Sequence, residues 1–174
     1  MSTDRRYYGK YKATVQNNID PEMRGRLTLI IPSILGLVPS SWAEPCVPLA
    51  GPTGPPMGVY MVPPPGAGVW VEFEEGDLNY PIWSGCRWGA PSDIPPLAHA
   101  GLPVSPNIVM QTAGQNTLVV SDLAGPTGGL MLKSATGATL IVNDTGIYIQ
   151  NGKGASIVMT GPTVTINNGA MVIT

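Results

Sequence analysis

The chain is poor in the residues that catalytic and nucleic-acid-binding proteins depend on. Its 174 residues include one histidine, and only 11% of them are charged, with a net charge of −2. A surface with so little positive charge releases few counterions from a nucleic acid, so we expect no nucleic-acid partner. The longest apolar stretch, residues 27–38, is interrupted by Pro32 and Gly36 and is too short to span a membrane. We expect no signal peptide and no transmembrane segment, and therefore assembly in the cytoplasm.

Cysteine is also scarce, which excludes a disulfide framework. Only Cys46 and Cys86 are present, and a chain made in the cytoplasm keeps its thiols reduced. Two buried thiols are therefore favoured over a bridge. Because both cysteines fall in the same half of the chain, the sequence leaves a contact between them open.

No group of residues has the spacing of a catalytic or metal site. The single histidine, His99, has no nucleophile or carboxylate close to it in the sequence, whereas nucleophilic catalysis requires a base beside the nucleophile. Glu72, Glu74, Glu75 and Asp77 offer oxygen ligands of the kind that divalent cations bind. Their positions along a strand and in a Glu-Gly-Asp turn favour a solvated hairpin instead. We therefore predict a protein that is not an enzyme, with no cofactor and no metal.

What the chain does contain, 22 glycines and 19 prolines, favours turns over helices. Aromatic residues divide it into halves: all four tryptophans, the phenylalanine and five of the six tyrosines precede residue 91, and only Tyr148 follows. Residues 91–106 between the halves are rich in proline, with extended preferences and no periodicity. The predicted organisation is a barrel over residues 1–90, a connector over 91–106 and a repetitive needle over 107–174.

The first half reads as a series of short strands. Residues 8–16 alternate, with Tyr11, Ala13 and Val15 on one face, which is the period of a half-buried strand. The predicted strands cover residues 8–16, 25–32, 42–47, 58–62, 68–74 and 80–88. Five or six short strands in about ninety residues are typical of a closed barrel or a sandwich.

The second half is an internal repeat of short apolar strands separated by Gly, Asn, Asp and Thr. Successive apolar pairs lie 12, 10, 7, 10, 7 and 7 residues apart. A monomeric β-helix of hexapeptides needs about 18 residues per coil to close a core, and these strands each offer only two or three inward side chains. Three chains wound around one axis would bury the apolar face and pair the strand edges, so we predict an intertwined homotrimer. The predicted trimer core consists of Leu118, Val120, Leu130, Leu132, Leu140, Val142, Ile147, Ile149, Ile157, Met159, Val164, Ile166, Met171 and Ile173.

Three motifs of the first half together resemble a known family. They are ATVQNNIDPEMRGRLTL at residues 13–29, SWAEPC and AGP at 41–46 and 50–52, and GAGVWVEFEEGD and YPIWSG at 66–77 and 80–85. In this order they resemble the oligosaccharide/oligonucleotide-binding (OB) barrel of contractile-tail spike proteins, which include phage baseplate spikes and the VgrG proteins of type VI secretion. The second half is similar to the β-helical needle of the same family. The resemblance implies an all-β fold, with an N-terminal OB-fold barrel followed by a C-terminal intertwined trimeric β-helix.

The resemblance also implies a function and partners. A spike of this family is a trimer at the centre of the baseplate, and sheath contraction drives its needle through the target envelope, so it meets a membrane only on firing. The chain begins shortly before its first strand, which implies a separate hub protein on the N-terminal side. It ends within the repeat, which implies a PAAR-like tip protein as a cap. Positive charge at the first hairpin, on Lys10, Lys12, Arg24 and Arg26, fits either solubility or docking to an acidic hub.

Two other functions stay open at this point. A trimeric receptor- or glycan-binding tail fibre also uses a β-helical stem, although such stems display exposed aromatic residues and carboxylates. Residues 101–174 contain one tyrosine and two aspartates. A monomeric OB module with a stabilising solenoid would differ in its mass in solution. The sequence does not distinguish a phage tail from an extracellular injection system or a type VI secretion system.

Overall fold

The computed structural model describes residues 5–52 and 54–174. Within these ranges it contains thirteen β-strands and five 3₁₀ helices and no α-helix, so the predicted all-β class is confirmed. None of the helices in the described part of the chain is long and apolar enough to cross a membrane. Contacts between Cα atoms divide the chain into two compact units, one ending at Pro91 and the other beginning at Ser92.

The first unit, called the barrel below, is built on a five-stranded sheet. Its strands are β1 (Tyr11–Asn17), β2 (Thr28–Ile30), β3 (Glu44–Pro45), β4 (Gly68–Phe73) and β5 (Pro81–Arg87). They lie in the order β2-β1-β4-β5-β3, antiparallel except for the parallel pair β3 and β5. Just before the two outer strands, Leu27 and Ala43 exchange backbone hydrogen bonds of 3.1 and 2.7 Å. This bridge joins the two ends of the strand order, so the sheet curls round and closes.

The barrel is filled by side chains that alternate along its strands. Ala13 and Val15 of β1 are buried, as the alternation predicts, and so are Val69 and Val71 of β4. The other members of this core are Leu27, Leu29, Ile31, Ala43, Phe73 and Trp83. Burying a side chain of the size of Val or Leu stabilises a fold by about 1.5–3 kcal/mol. The core therefore supplies the main stabilisation of the barrel.

Residues 58–62 do not form the predicted strand. Gly58 pairs with Ala50 in one isolated bridge, and the rest of the segment is irregular. Three prolines follow at positions 63–65, and proline has no amide proton to donate to a strand ladder. The segment forms a loop instead, in which the Val59 amide donates to the Leu49 carbonyl over 3.0 Å.

The predicted connector is folded, and its predicted extended conformation is wrong. It contains 3₁₀ helices at Pro91–Asp93 and Pro96–Ala100. Proline favours such turns because its ring fixes φ near the helical value. Asn107 donates from Nδ2 to the Leu97 carbonyl over 2.8 Å, which ties the second of these helices to the residues that follow it.

The two cysteines are free, as predicted, but they are exposed, so the prediction of buried thiols is wrong. Cys86 lies on β5, where Pro81 and Trp83 take the buried positions. An irregularity in the pairing of β5 with β4 separates Trp83 from Cys86, so the alternation does not extend to Cys86, which lies opposite Val69 and next to the last residue of the strand. Cys46 lies just after β3, and its amide donates to the Trp83 carbonyl over 3.0 Å.

The second unit contains one sheet of eight strands, called the stem below. Its strands are β6 (Ile108–Gln111), β7 (Thr117–Ser121), β8 (Gly129–Lys133), β9 (Thr139–Asn143), β10 (Gly146–Gln150), β11 (Ser156–Thr160), β12 (Thr163–Ile166) and β13 (Met171–Ile173). Each strand pairs antiparallel with its neighbours in sequence. The stem is therefore an up-and-down meander of short hairpins, which is the regular repeat that the sequence predicts.

Turns along one side of the stem are linked to one another. The Asn116 side-chain oxygen accepts from the Ala135 amide over 3.1 Å, and the Asn167 side-chain oxygen accepts from the Ser156 amide over 3.0 Å. Between these links, a Cβ atom on Gly152 would lie only 2.7 Å from the Gly137 carbonyl carbon. Glycine at position 152 therefore allows two successive turns to lie against each other.

Replacing Gly152 by alanine should destabilise the stem more than the same change at Gly161. Both glycines have positive φ, 72° and 53°, so both variants pay the cost of a left-handed conformation, about 1–2 kcal/mol. Only Gly152→Ala adds a steric clash, because nothing lies within 4 Å of a Cβ at Gly161. Overpacking costs about 1–3 kcal/mol more. Thermal unfolding followed by far-ultraviolet circular dichroism measures the difference, and equal losses in the two variants would contradict it.

Candidate functional site

One face of the stem carries two unbroken rows of apolar side chains. The strand register aligns the first row as Ile108, Val120, Leu130, Val142, Ile147, Met159, Val164 and Ile173. It aligns the second row as Met110, Leu118, Leu132, Leu140, Ile149, Ile157, Ile166 and Met171. Every residue that the sequence predicts for the trimer core lies in one of these rows. The two rows are called the apolar face below.

The apolar face is open to solvent in the single chain. Leu130 is 53% exposed, Leu132 is 49% exposed and Met171 is 55% exposed. Leu118, Leu132 and Leu140 line an open depression of about 500 Å³. Soluble monomers rarely expose a continuous apolar surface of this extent, and such surfaces mark sites of association.

The opposite face of the stem has a different composition. Its central row is apolar from Val109 to Val158, continues with Thr165 and is better covered, with Val119 only 4% exposed. The positions on either side of that row are polar or glycine, and they include Thr117, Ser121, Lys133, Thr139, Asn143, Gln150, Ser156, Thr160 and Thr163. This face can remain in water when the apolar face is buried, so the two faces differ in the way a one-sided interface requires.

Sequence reasoning missed two members of the apolar face, Ile108 and Met110 on β6. They pair with Val120 and Leu118 and extend both rows by one strand. The sequence did contain the signal. Ile108 and Met110 are separated by one residue, as the predicted pairs are, and they precede the next pair by 10 residues. Prolines just before Ile108 placed these residues at the end of the predicted connector, so the pair was not recognised.

Two family models match the chain. Residues 11–88 match the type VI secretion system/phage-baseplate injector OB domain. Residues 107–172 match the phage baseplate V C-terminal trimerisation domain, which covers all eight strands of the stem. The chain belongs to the VgrG-like family of baseplate spike proteins. No curated protein matches it in sequence.

The family assignment confirms the resemblance that the barrel motifs indicate. The barrel of this baseplate spike protein is an OB domain, and its stem is a trimerisation domain, which supports a homotrimer. Both families consist of structural baseplate proteins rather than enzymes. The apolar face lies on the domain that the trimerisation model matches. Association of three chains there offers a way to bury this face.

The residues predicted to dock a hub lie at β1 and in the turn before β2. They differ in how far their side chains are exposed and free to contact another protein. Lys10 contacts the Glu72 carboxylate at 3.2 Å and donates to Ser84 Oγ over 2.8 Å, whereas Lys12 on β1 has an exposed side chain. Arg24 is about half exposed and pairs with Glu22 and Glu44. These side chains are available at the barrel surface.

Arg26, by contrast, is part of the barrel's internal structure. Its side chain is 12% exposed and lies 2.7 Å from the Asp20 carboxylate, with the guanidinium carbon 5.5 Å from the centre of the Trp42 ring. Asp20 also accepts hydrogen bonds from the backbone amides of Glu22, Arg24 and Arg26. The sequence motif IDPEMRGR is therefore a turn closed around one carboxylate, and Arg26 is committed to that turn.

The other candidate residues have the surroundings of surface groups. Glu72 pairs with Lys10, and Asp77 lies 4.0 Å from Arg6. No cluster of three or more His, Cys, Asp or Glu residues that could hold a metal ion occurs in the described ranges. His99 is exposed on the second 3₁₀ helix of the connector. None of these arrangements brings an acid, a base and a nucleophile together in the part of the chain that the structure describes.

The Asp20 carboxylate should make the stability of the barrel depend on pH. The hydrogen bond from Arg26, supported by three backbone amides, holds the pKa of Asp20 well below its ordinary value of 3.8. A carboxylate with a depressed folded-state pKa stabilises the fold above its unfolded pKa, and this contribution is lost as the pH falls towards the folded value.

We therefore expect Asp20→Asn to lower the unfolding midpoint of the barrel by several degrees at pH 7, and by progressively less as the pH falls from about 4 to about 2. Tryptophan fluorescence measures this unfolding selectively, because all four tryptophans lie in the barrel unit. Glu75→Gln, which neutralises an exposed carboxylate, is the matched control. A difference between wild type and Asp20→Asn that stays constant from pH 7 to about pH 2 would contradict the assignment.

Proposed function

We propose that this baseplate spike protein is the trimeric needle at the centre of a contractile tail or injection machine, and that it pierces the target envelope when the sheath contracts. The observation that carries the proposal is the apolar face. Two continuous rows over eight strands are exposed in one chain, on the domain that the trimerisation model matches. Three chains that turn this face to a common axis form a closed rod with a dry core.

Such a rod has the mechanical properties that a needle needs. Strands lie about 4.8 Å apart, so eight strands in one sheet extend for roughly 33 Å along the rod. Backbone groups are paired within each meander, and the apolar side chains of each level come from all three chains. No small part can open without exposing core from the other two chains, so we expect a stiff rod that unfolds slowly.

We also propose the domain roles and the partners. Residues 1–90 form the collar that faces a separate hub protein, residues 91–106 connect it, and residues 107–174 form the needle. Lys10, Lys12 and Arg24 are the docking side chains for an acidic hub surface, since Arg26 is committed to its own turn. β13 is an edge strand of the stem sheet, and we propose a PAAR-like tip protein as the partner at this end. Assembly in the cytoplasm follows from this role.

Ile149→Asp should abolish the trimer, whereas Gln150→Asp should leave it intact. Ile149 lies on the apolar face, where three carboxylates would meet at the axis without partners, and burying an unpaired charge costs several kcal/mol. Gln150 is the next residue, so its side chain points away from the apolar face, and it is exposed. Native mass spectrometry or light scattering of the full chain gives the oligomeric state directly. A monomeric wild type, or a trimer that survives Ile149→Asp unchanged, would defeat the proposal.

Particles that carry the two variants test the piercing role itself. Ile149→Asp should suppress infection or injection, because the needle no longer forms. Gln150→Asp should retain activity close to that of the wild type. Full activity of particles with Ile149→Asp would show that the stem is not the piercing element.

A further inference from the structure

The stem carries four charged side chains, and they are sorted by sign to its two edges. Asp122 follows β7 and Asp144 follows β9, whereas Lys133 ends β8 and Lys153 lies in the turn after β10. Each strand runs antiparallel to the next, so the connections after β7 and β9 lie along one edge of the sheet and those after β8 and β10 lie along the other. These edges are called the acidic edge and the basic edge below.

Contacts within the chain fix the acidic edge but do not neutralise it. The Asp144 carboxylate accepts from the Gly125 amide over 2.9 Å, which joins two successive turns of this edge. The Asp122 carboxylate accepts from Ser105 Oγ over 2.6 Å. The two aspartates and the two lysines are all exposed, and none of them forms an ion pair within the described part of the chain. All four charges are therefore available to another molecule.

The two edges carry their charges at matching intervals. About two strands separate Asp122 from Asp144, and about two strands separate Lys133 from Lys153, which is roughly 10 Å along each edge. Each aspartate precedes a lysine by one strand in the order of the sheet. One offset of about a strand spacing therefore aligns both aspartates with both lysines, and the flexible four-carbon stem of lysine spans such an offset.

We propose that the acidic edge of each stem pairs with the basic edge of the next chain, through Asp122 with Lys133 and Asp144 with Lys153. The inference rests on the trimer of the proposed function. Three parallel chains that turn their apolar faces to one axis meet heterologously, so one edge of each chain adjoins the other edge of its neighbour. Opposite charges then meet at all three corners of the rod.

The edge pairs select one alignment of the chains. A neighbour that runs in the opposite direction, with its apolar face still inward, would set acidic edge against acidic edge. A neighbour displaced by two strands would keep at most one of its two pairs at each corner. Complementary charges thus favour parallel chains at one level, in addition to the burial that the apolar face supplies.

Zero-length cross-linking of the wild-type full chain tests the pairs directly. A carbodiimide activates a carboxylate, and the amine of a contacting lysine attacks it, so an amide bond forms and the carbodiimide leaves as its urea. We expect peptides that join Asp122 to Lys133 and Asp144 to Lys153, and covalent dimers and trimers in SDS gels. The two edges of one sheet lie about 17 Å apart, the length of a five-residue strand, so these links must join different chains.

Two controls accompany the cross-linking. Lys10 and Glu72 lie 3.2 Å apart within one barrel, so the link between them reports that the reagent works. Lys153→Arg keeps the positive charge but removes the reactive amine. This variant should remain a trimer and lose only the link to Asp144.

The native mass of the wild type is measured first, so that the two proposals can fail separately. A monomer overturns both the trimer and the edge pairing. A trimer that forms the Lys10–Glu72 link but lacks either expected link between stems overturns the edge pairing alone. Links between Asp122 and Lys153 would show a different level of alignment, and they would also overturn it.

A charge exchange provides an independent measurement. Asp144→Lys and Lys153→Asp each place like charges at three corners, so each should speed dissociation of the trimer in SDS by at least about threefold. The double variant restores opposite charges and should dissociate more slowly than either single variant. High salt should reduce these differences because the pairs are exposed. Independent, additive effects of the two changes in a trimer would contradict the pairing.

Discussion

The stem depends on antiparallel pairing that keeps two apolar rows continuous across eight strands. Side chains alternate along a strand, so a shift of one residue in any pair would turn that strand's apolar residues to the opposite face. The observed register places sixteen apolar side chains in the two rows without an interruption. Within the described residues of the second unit no other layer covers this face, so we propose that association buries it. In the proposed trimer, oligomerisation completes the hydrophobic core, as it does in obligate oligomers that have no stable folded monomer.

The barrel and the stem meet the same requirement for burial by different means. The barrel has ten buried core residues, among them Phe73 and Trp83, and closes its sheet through the Leu27–Ala43 bridge. Its charged residues compensate one another within the chain, with Asp20 and Arg26 at the centre of one turn. The stem has a single aromatic residue, Tyr148, and in the proposed trimer it obtains its core from other chains. This difference explains why aromatic residues and most charges lie in the first half of the sequence.

Alternation in the sequence predicts the strands and the inward residues well because both follow from local geometry. The pairs from Leu118 to Ile173 were found because each lies two residues apart and is flanked by turn formers. Ile108 and Met110 were missed because prolines precede them. The predicted strand at residues 58–62 was wrong because a local apolar run does not reveal whether a neighbouring strand is available to pair with it. The position of Arg26 could not be predicted either. Its burial depends on a turn that brings Asp20 beside it and on Trp42, which lies sixteen residues further along the chain.

The composition of the apolar face does not by itself fix how three chains align along the stem. All sixteen positions are apolar, and in coiled coils it is a buried polar residue that commonly fixes the relative register of chains. A stem with only Val, Ile, Leu and Met on its inner face buries apolar surface at every strand. A chain shifted along the axis by one strand would therefore still match its neighbours. Within a chain, the register is set by the turns, where Asn116, Asn167 and the close approach of Gly137 and Gly152 link successive hairpins. Between chains, a specific contact outside the apolar face can align the three copies.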